Sequence, residues 1–181
     1  MNMYQKPRVE MTKAPMTAIS EGLERLKQEH GELKQVLMEM EKQAKQVESA
    51  PESLGALQSL LNLRLWALAF QEELERHSNW EEQELFPFLS TYIERKMAPS
   101  ILPSFWSLEK DHELADEHMQ AFLRSVHLLK ANPGAMGYNQ AAAYLVQACH
   151  ILQEHLAKEE QLVFPLTQQV LDDINGAAAG L

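Results

Sequence analysis

The residues able to do chemistry in this chain come as a repeated phrase. His77-Ser-Asn-Trp-Glu81-Glu82-Gln83-Glu84-Leu85-Phe86-Pro87 returns as His155-Leu-Ala-Lys-Glu159-Glu160-Gln161-Leu162-Val163-Phe164-Pro165. A shorter phrase precedes each copy, first Glu29-His30-Gly31-Glu32-Leu33 and then Asp111-His112-Glu113-Leu114. The offsets nearly agree, 112 − 30 = 82 and 155 − 77 = 78, so the chain reads as two tandem halves. Each half supplies one lone histidine and one His-x-x-x-Glu. Four imidazoles and two carboxylates on a helical scaffold are a ligand set for a two-metal site. The candidate metal ligands are therefore His30, His77, Glu81, His112, His155 and Glu159.

Four helices are expected to carry them. Ser20 caps a first helix running to about Val47, with Leu23, Leu26, Leu33, Leu37 and Met40 stepping by three and four; Ser49-Ala50-Pro51 ends it. A second runs from Ser53 to Arg95, with Leu63, Ala67, Phe70, Leu74, Leu85 and Phe88 inward and a kink or break at Pro87. Met97 to Pro103 reads as a turn. The third helix, capped by Ser104, turns Phe105, Leu108, Ala115, Met119, Phe122, Val126 and Leu129 inward and stops at Asn132-Pro133-Gly134. The fourth spans about Asn139 to Asp172, with Ala141, Leu145, Ala148, Leu152, Leu162 and Leu166 inward and Pro165 repeating the kink. No strand-like alternation of useful length is present. The expected architecture is all-α, an up-down-up-down four-helix bundle over residues 18–173, between a flexible leader (1–17) and a flexible tail (174–181).

Each helix interrupts its own apolar seam near mid-length. His30 lies on the series 23, 26, 30, 33, 37, 40, and His112 on 105, 108, 112, 115, 119. The second helix's series takes in His77 and Glu81, and the fourth's takes in His155 and Glu159. One inward histidine is ordinarily a hydrogen-bonded core residue, and one His-x-x-x-Glu an ordinary surface pair. Six such residues on four seams, in a two-fold repeat and with no Lys or Arg on the seams there, are different. A buried carboxylate without a partner costs several kcal/mol, whereas bound cations keep both carboxylates ionised and take a lone pair from each imidazole. Glu82, Glu84 and Glu160 fall off the seam and are expected in solvent, and His118, His127 and His150 do not share the inward phase. Phe86 and Phe164 are expected to roof the site.

Bulk composition excludes several classes. The 181 residues suffice for one good core. A net charge of −10 argues against nucleic acid as a partner. No apolar run reaches the roughly 18 residues of a membrane span, and the leader, interrupted by Pro7 and Pro15, has no apolar signal core. The single cysteine, Cys149, cannot form an internal disulfide; with the leader, this sets a cytoplasmic location as the expectation.

The repeated His…His-x-x-x-Glu-Glu…Leu/Val-Phe-Pro resembles the hemerythrin-like, HHE cation-binding proteins, over about Ser20 to Asp172. The resemblance implies a four-helix bundle around a non-haem di-iron centre. Oxygen-carrying members have a further histidine one turn after the lone histidine of the third helix, where this chain has Asp116; the equivalent on the first helix is Lys34. The four-His, two-Glu set is closer to the di-iron proteins linked to repair of iron–sulfur centres under nitrosative and oxidative stress, without their Cys-containing N-terminal domain. Oxygen carriers use a carboxylate five residues after the last histidine, which keeps Glu160 open as the alternative to Glu159. Asp116 is also open, as an extra ligand or as an acceptor for an imidazole N–H.

Two six-coordinate irons offer about twelve positions; four imidazoles, two bridging carboxylates and a bridging oxide or hydroxide leave roughly one open position on each. One iron is read as held by His30 and His77 and the other by His112 and His155, with Glu81 and Glu159 bridging; His30 sharing an iron with His155 is the alternative. Manganese or zinc would also suit these donors. The expected ligand is O2, NO or peroxide. Binding, sensing or iron handling is the reading, an enzyme reducing NO or peroxide is the alternative, and a metal-free structural bundle is the remaining class. The sequence names no protein partner or oligomeric state.

Overall fold

Helix is the only regular structure in the residues described by the computed structural model, 13–95 and 102–179. The elements are α1 (Lys13–Ser49), α2 (Ala56–Trp80), a π turn (Glu81–Leu85), α3 (Phe86–Arg95), α4 (Leu102–Ala131) and α5 (Tyr138–Ala179). The π turn joins α2 to α3 without a gap, so the chain makes four rods. Side-chain pairs fix their directions. Glu29 meets His77 and Gly22 meets Trp80; Gln71 meets Asp116 and Ser78 meets His112. Asp111 meets Lys158 and His112 meets His155, while Lys34 meets Glu160 and Glu41 meets Gln153. Numbers rise on one rod as they fall on the next, which is the up-down-up-down bundle.

The helix ends differ from expectation in places. α1 starts at Lys13, seven residues before Ser20 (20 − 13 = 7), with Pro15 in its first turn, where no intrahelical N–H is needed. The turn to α2 ends at Gly55, whose φ of 95° suits a residue without a Cβ. The turn expected at Met97–Pro103 lies outside the described residues up to position 101, and α4 already includes Leu102 and Pro103. Asn132-Pro133-Gly134 does stop α4, the Gly134 amide donating to Asn132 Oδ1 at 3.1 Å. α5 runs on past Asp172 to Ala179, because Ile174 packs on the core and the alanines after it favour helix.

The interruption expected at Pro87 comes earlier, as the π turn. There the Phe86 amide donates to the Glu81 carbonyl, five residues back. A π turn adds a residue to the path and rotates the helix beyond it. The buried seam therefore continues through Leu85, Phe86, Leu89 and Ile93, and Phe88, expected inward, is only half-buried. On α5 the seam after Glu159 passes to Val163, Phe164, Thr167 and Val170, leaving Leu162 exposed and Leu166 half-buried. Here the stride is four residues where three was expected. Leu74 is likewise half-buried. Pro165 sits inside α5, whose helix continues through it.

The core is two apolar clusters. One contains Leu37, Met40, Leu63, Phe70, Met119, Phe122, Leu145 and Leu152, and the other Leu23, Leu26, Leu85, Leu89, Phe105, Leu108 and Val163. On every rod the polar residues of the repeated phrases fall between them. Burial of the apolar side chains, each contributing about 1.5–3 kcal/mol, holds a polar layer that contributes nothing by the same mechanism. At one edge of this layer Trp80 lies over Gly22, where a Cβ would collide with the indole.

Candidate metal centre

α1 brings His30 to the layer, α2 brings His77, the first residue of the π turn is Glu81, and α5 brings His155 and Glu159. All five are buried, with relative exposures of 0–2%. His112 on α4 is half-buried and its ring centre lies 4.0 Å from that of His155. Glu159 is the hub. His155 Nε2 is 2.8 Å from its Oε1 and His30 Nε2 is 3.2 Å from its Oε2, with His77 Nε2 at 3.9 Å. His77 Nε2 is 3.6 Å from Glu81 Oε1.

Ligand atoms of His30, His77, Glu81 and Glu159 lie within 4.8 Å of one another, and those of His112, His155 and Glu159 do the same. The structure thus brings all six candidates into two groups that share Glu159, with His30 beside His77 and not beside His155. Glu81 falls in the first group alone.

The other candidates stand elsewhere. Glu160, expected in solvent, is part-buried; Lys34 Nζ donates to its two oxygens at 3.0 and 2.8 Å, and His30 Nδ1 is 3.4 Å away. Sequence position put it off the seam, but the helix that covers that flank carries a lysine. Asp116 is exposed and accepts from Gln71 and Gln120, so it is outside the cluster. Phe164 does lie against His30, ring centres 4.6 Å apart, whereas Phe86 stacks on Phe105 within the core. Glu82 and Glu84 are exposed, as expected, as are His127 and His150; His118 is half-buried.

Three residues that the sequence reading did not single out stand behind the imidazoles. Glu29 Oε2 is 3.0 Å from His77 Nδ1, Asp111 Oδ2 is 3.9 Å from His155 Nδ1, and Ser78 Oγ is 3.3 Å from His112 Nε2. A signal for two of them was present, since Glu29 and Asp111 are the residues before the lone histidines in the repeated short phrase.

The electrostatics of the cluster are strained without a cation. Burial, reinforced by the Glu159 charge, pushes the Glu81 carboxyl well above the usual carboxylate range. Burial acts on Glu159 in the same direction, but His155, His30 and His77 outweigh it and hold Glu159 well below that range. Burial opposes protonation of His77, yet contact with Glu159 and Glu29 leaves it raised. Burial and the neighbouring His155 lower His112 to about 4. The two carboxyls are thus pushed apart, Glu159 toward the ionised form and Glu81 toward the protonated one, as for two like charges in one apolar site.

Both oxygens of Glu81 and Glu159, both ring nitrogens of His30 and His155, and Nε2 of His77 are buried without a well-formed hydrogen bond, their close contacts being mainly with one another. A buried polar atom left unpaired costs about 1–3 kcal/mol, and a fold does not gather so many in one layer for packing. A cation satisfies them together. Imidazole nitrogen with carboxylate oxygen suits iron, manganese or zinc. Two grooves approach the layer. One of about 850 Å³ between α1 and α2 reaches Glu29 and His77, and one of about 560 Å³ between α2 and α4 reaches Ser78 and His112.

A four-helix bundle whose core is divided by such a layer defines a metal-binding helical bundle. The family model described as the hemerythrin HHE cation-binding domain matches residues 21–167, and the chain belongs to that family. Curated proteins and solved structures return no match. No helix among the described residues is long and apolar enough to cross a membrane.

Proposed function

We propose that the protein holds two iron ions in the polar layer and uses them to bind or sense O2 or NO, or to handle iron, in the setting of oxidative or nitrosative stress. In this reading His30, His77 and Glu81 would hold one iron and His112 and His155 the other, with Glu159 within reach of both. The observation that carries it is the convergence, from several rods on one buried layer, of nitrogen and oxygen atoms that lack a well-formed hydrogen bond. Family membership supports a cation there. Iron would supply open coordination positions for a diatomic ligand; the chain's own part is to fix the donors, exclude bulk water with the two apolar clusters, and leave access along the groove that reaches His112.

Metal analysis of protein from iron-replete cells, with an optical spectrum and NO titration of the reduced form, tests this. About two irons per chain, a near-ultraviolet charge-transfer band and a spectral response to NO are expected. Stoichiometric zinc without iron in repeated preparations would overturn the iron reading and leave the bundle intact.

A further inference from the structure

The repeated short phrase contains more than its histidine. In each half an acidic residue stands immediately before the lone histidine, Glu29 in the first and Asp111 in the second. Neither faces the cluster. Each instead faces the outer nitrogen, Nδ1, of the His-x-x-x-Glu histidine of its own half: Glu29 faces His77 at 3.0 Å and Asp111 faces His155 at 3.9 Å. Each is also held by a cation from outside. Arg25 Nε lies 3.2 Å from Glu29 Oε1, and Lys158 Nζ lies 2.7 Å from Asp111 Oδ2.

Helix geometry explains the arrangement. When His30 points into the layer, the preceding residue is turned about 100° around α1, onto the flank that α2 covers. That flank is where the back of the His77 ring emerges. A carboxylate held by a guanidinium can only accept, so the hydrogen between Glu29 and His77 must sit on Nδ1. With Nδ1 so occupied, Nε2 is the nitrogen left facing Glu81 and Glu159, at 3.6 and 3.9 Å, and the one that would give its lone pair to a cation. In the second half the same order holds, with His155 Nε2 at 2.8 Å from Glu159. The shorter aspartate leaves the longer gap.

We propose that Glu29 is a positioning residue: clamped by Arg25, it fixes the tautomer and ring orientation of His77 so that Nε2 faces the cation, while Asp111, held by Lys158, occupies the corresponding place behind His155 at 3.9 Å without a hydrogen bond to it. This rests on the cation-site reading above. Such outer partners typically change metal affinity by about 10- to 100-fold when removed. Glu29 is half-buried at the floor of the groove between α1 and α2, so it can be replaced without opening the core.

The test uses the full chain with zinc as a diamagnetic probe, reading zinc affinity by chelator competition and the His77 ring nitrogens by nitrogen-15 NMR. In the wild-type protein the His77 Nδ1 carries a slowly exchanging proton. Glu29→Ala should lose that proton signal to fast exchange and bind zinc about 10- to 100-fold more weakly. Glu29→Asp should recover part of both, and Glu29→Gln, of equal size, serves if the alanine variant folds poorly by circular dichroism. Glu32→Ala, which loses only a bond from Gln28, should match wild type. An unchanged His77 signal and affinity in Glu29→Ala, or an equal loss in Glu32→Ala, would overturn the positioning role while leaving the cation site standing. Failure of the wild-type protein to bind zinc or iron would overturn both.

Discussion

Lys34 on α1 and Glu160 on α5 form an ion pair at 2.8 Å that holds Glu160 on the flank of the bundle, one residue away from the buried hub Glu159. Two adjacent glutamates on one turn cannot both face the core, since successive residues are about 100° apart. The lysine takes one and the imidazoles take the other.

Replacement of the two should therefore differ. Glu159→Ala should lose at least one metal ion and roughly 3–5 kcal/mol of stability in the loaded protein, because the imidazoles and Glu81 lose a buried partner. Glu160→Ala, at a part-exposed pair, should cost no more than about 1 kcal/mol and keep the metal. Metal content and thermal unfolding of both variants decide the matter; equal loss at Glu160 would move the α5 ligand to that residue.

Metal uptake should release protons. Glu81, raised by burial and by the Glu159 charge, and His77, raised against burial by its contacts with Glu159 and Glu29, are both shifted toward the protonated form when no cation is present. A cation needs both deprotonated. Calorimetric titration with zinc near neutral pH, in buffers of different ionisation enthalpy, should show about one proton or more leaving per chain. Binding heats that do not depend on the buffer would contradict this.

His112 should make the metal-free protein acid-sensitive in a defined window. Its folded value of about 4 lies below the ordinary 6.5, so between those values the unfolded chain binds a proton there and the folded chain does not. Its contribution is complete above about 6.5 and is lost as pH falls toward 4. Glu81 works in the opposite sense over part of that range, being raised. The clean quantity is the difference between wild type and His112→Gln in denaturant unfolding. That difference should shift in favour of wild type as pH rises from 4 to 6.5, and a flat difference would exclude the effect.

Asp116, where oxygen carriers resembling this chain have a further histidine, is exposed and bonded to Gln71 and Gln120. Asp116→His should leave iron content and the rate of oxidation of the reduced protein by O2 unchanged. Slower oxidation, or a persistent reversible O2 complex in this variant, would show that position 116 can turn to the metal.

The sequence by itself determined the architecture and the six candidate ligands. Both come from period: apolar residues at helical spacing define four seams, and a polar residue on such a seam is inward whatever the neighbouring helix is. His30, His77, Glu81, His155 and Glu159 were legible for that reason, and Asn132-Pro133-Gly134 gave a chain reversal on local chemistry alone. Only the tertiary structure decided what depends on a second rod. Phase was one such matter: the π turn after Trp80 shifts the seam onto Leu89 and Ile93, and the stride after Glu159 puts Val163 inside and Leu162 outside. Partnership was the other. That His30 lies with His77, that Lys34 draws Glu160 aside, and that Glu29 stands behind His77 are contacts between residues far apart in the chain. Helical periodicity says which way a side chain points, and carries no information about what the next helix places in front of it.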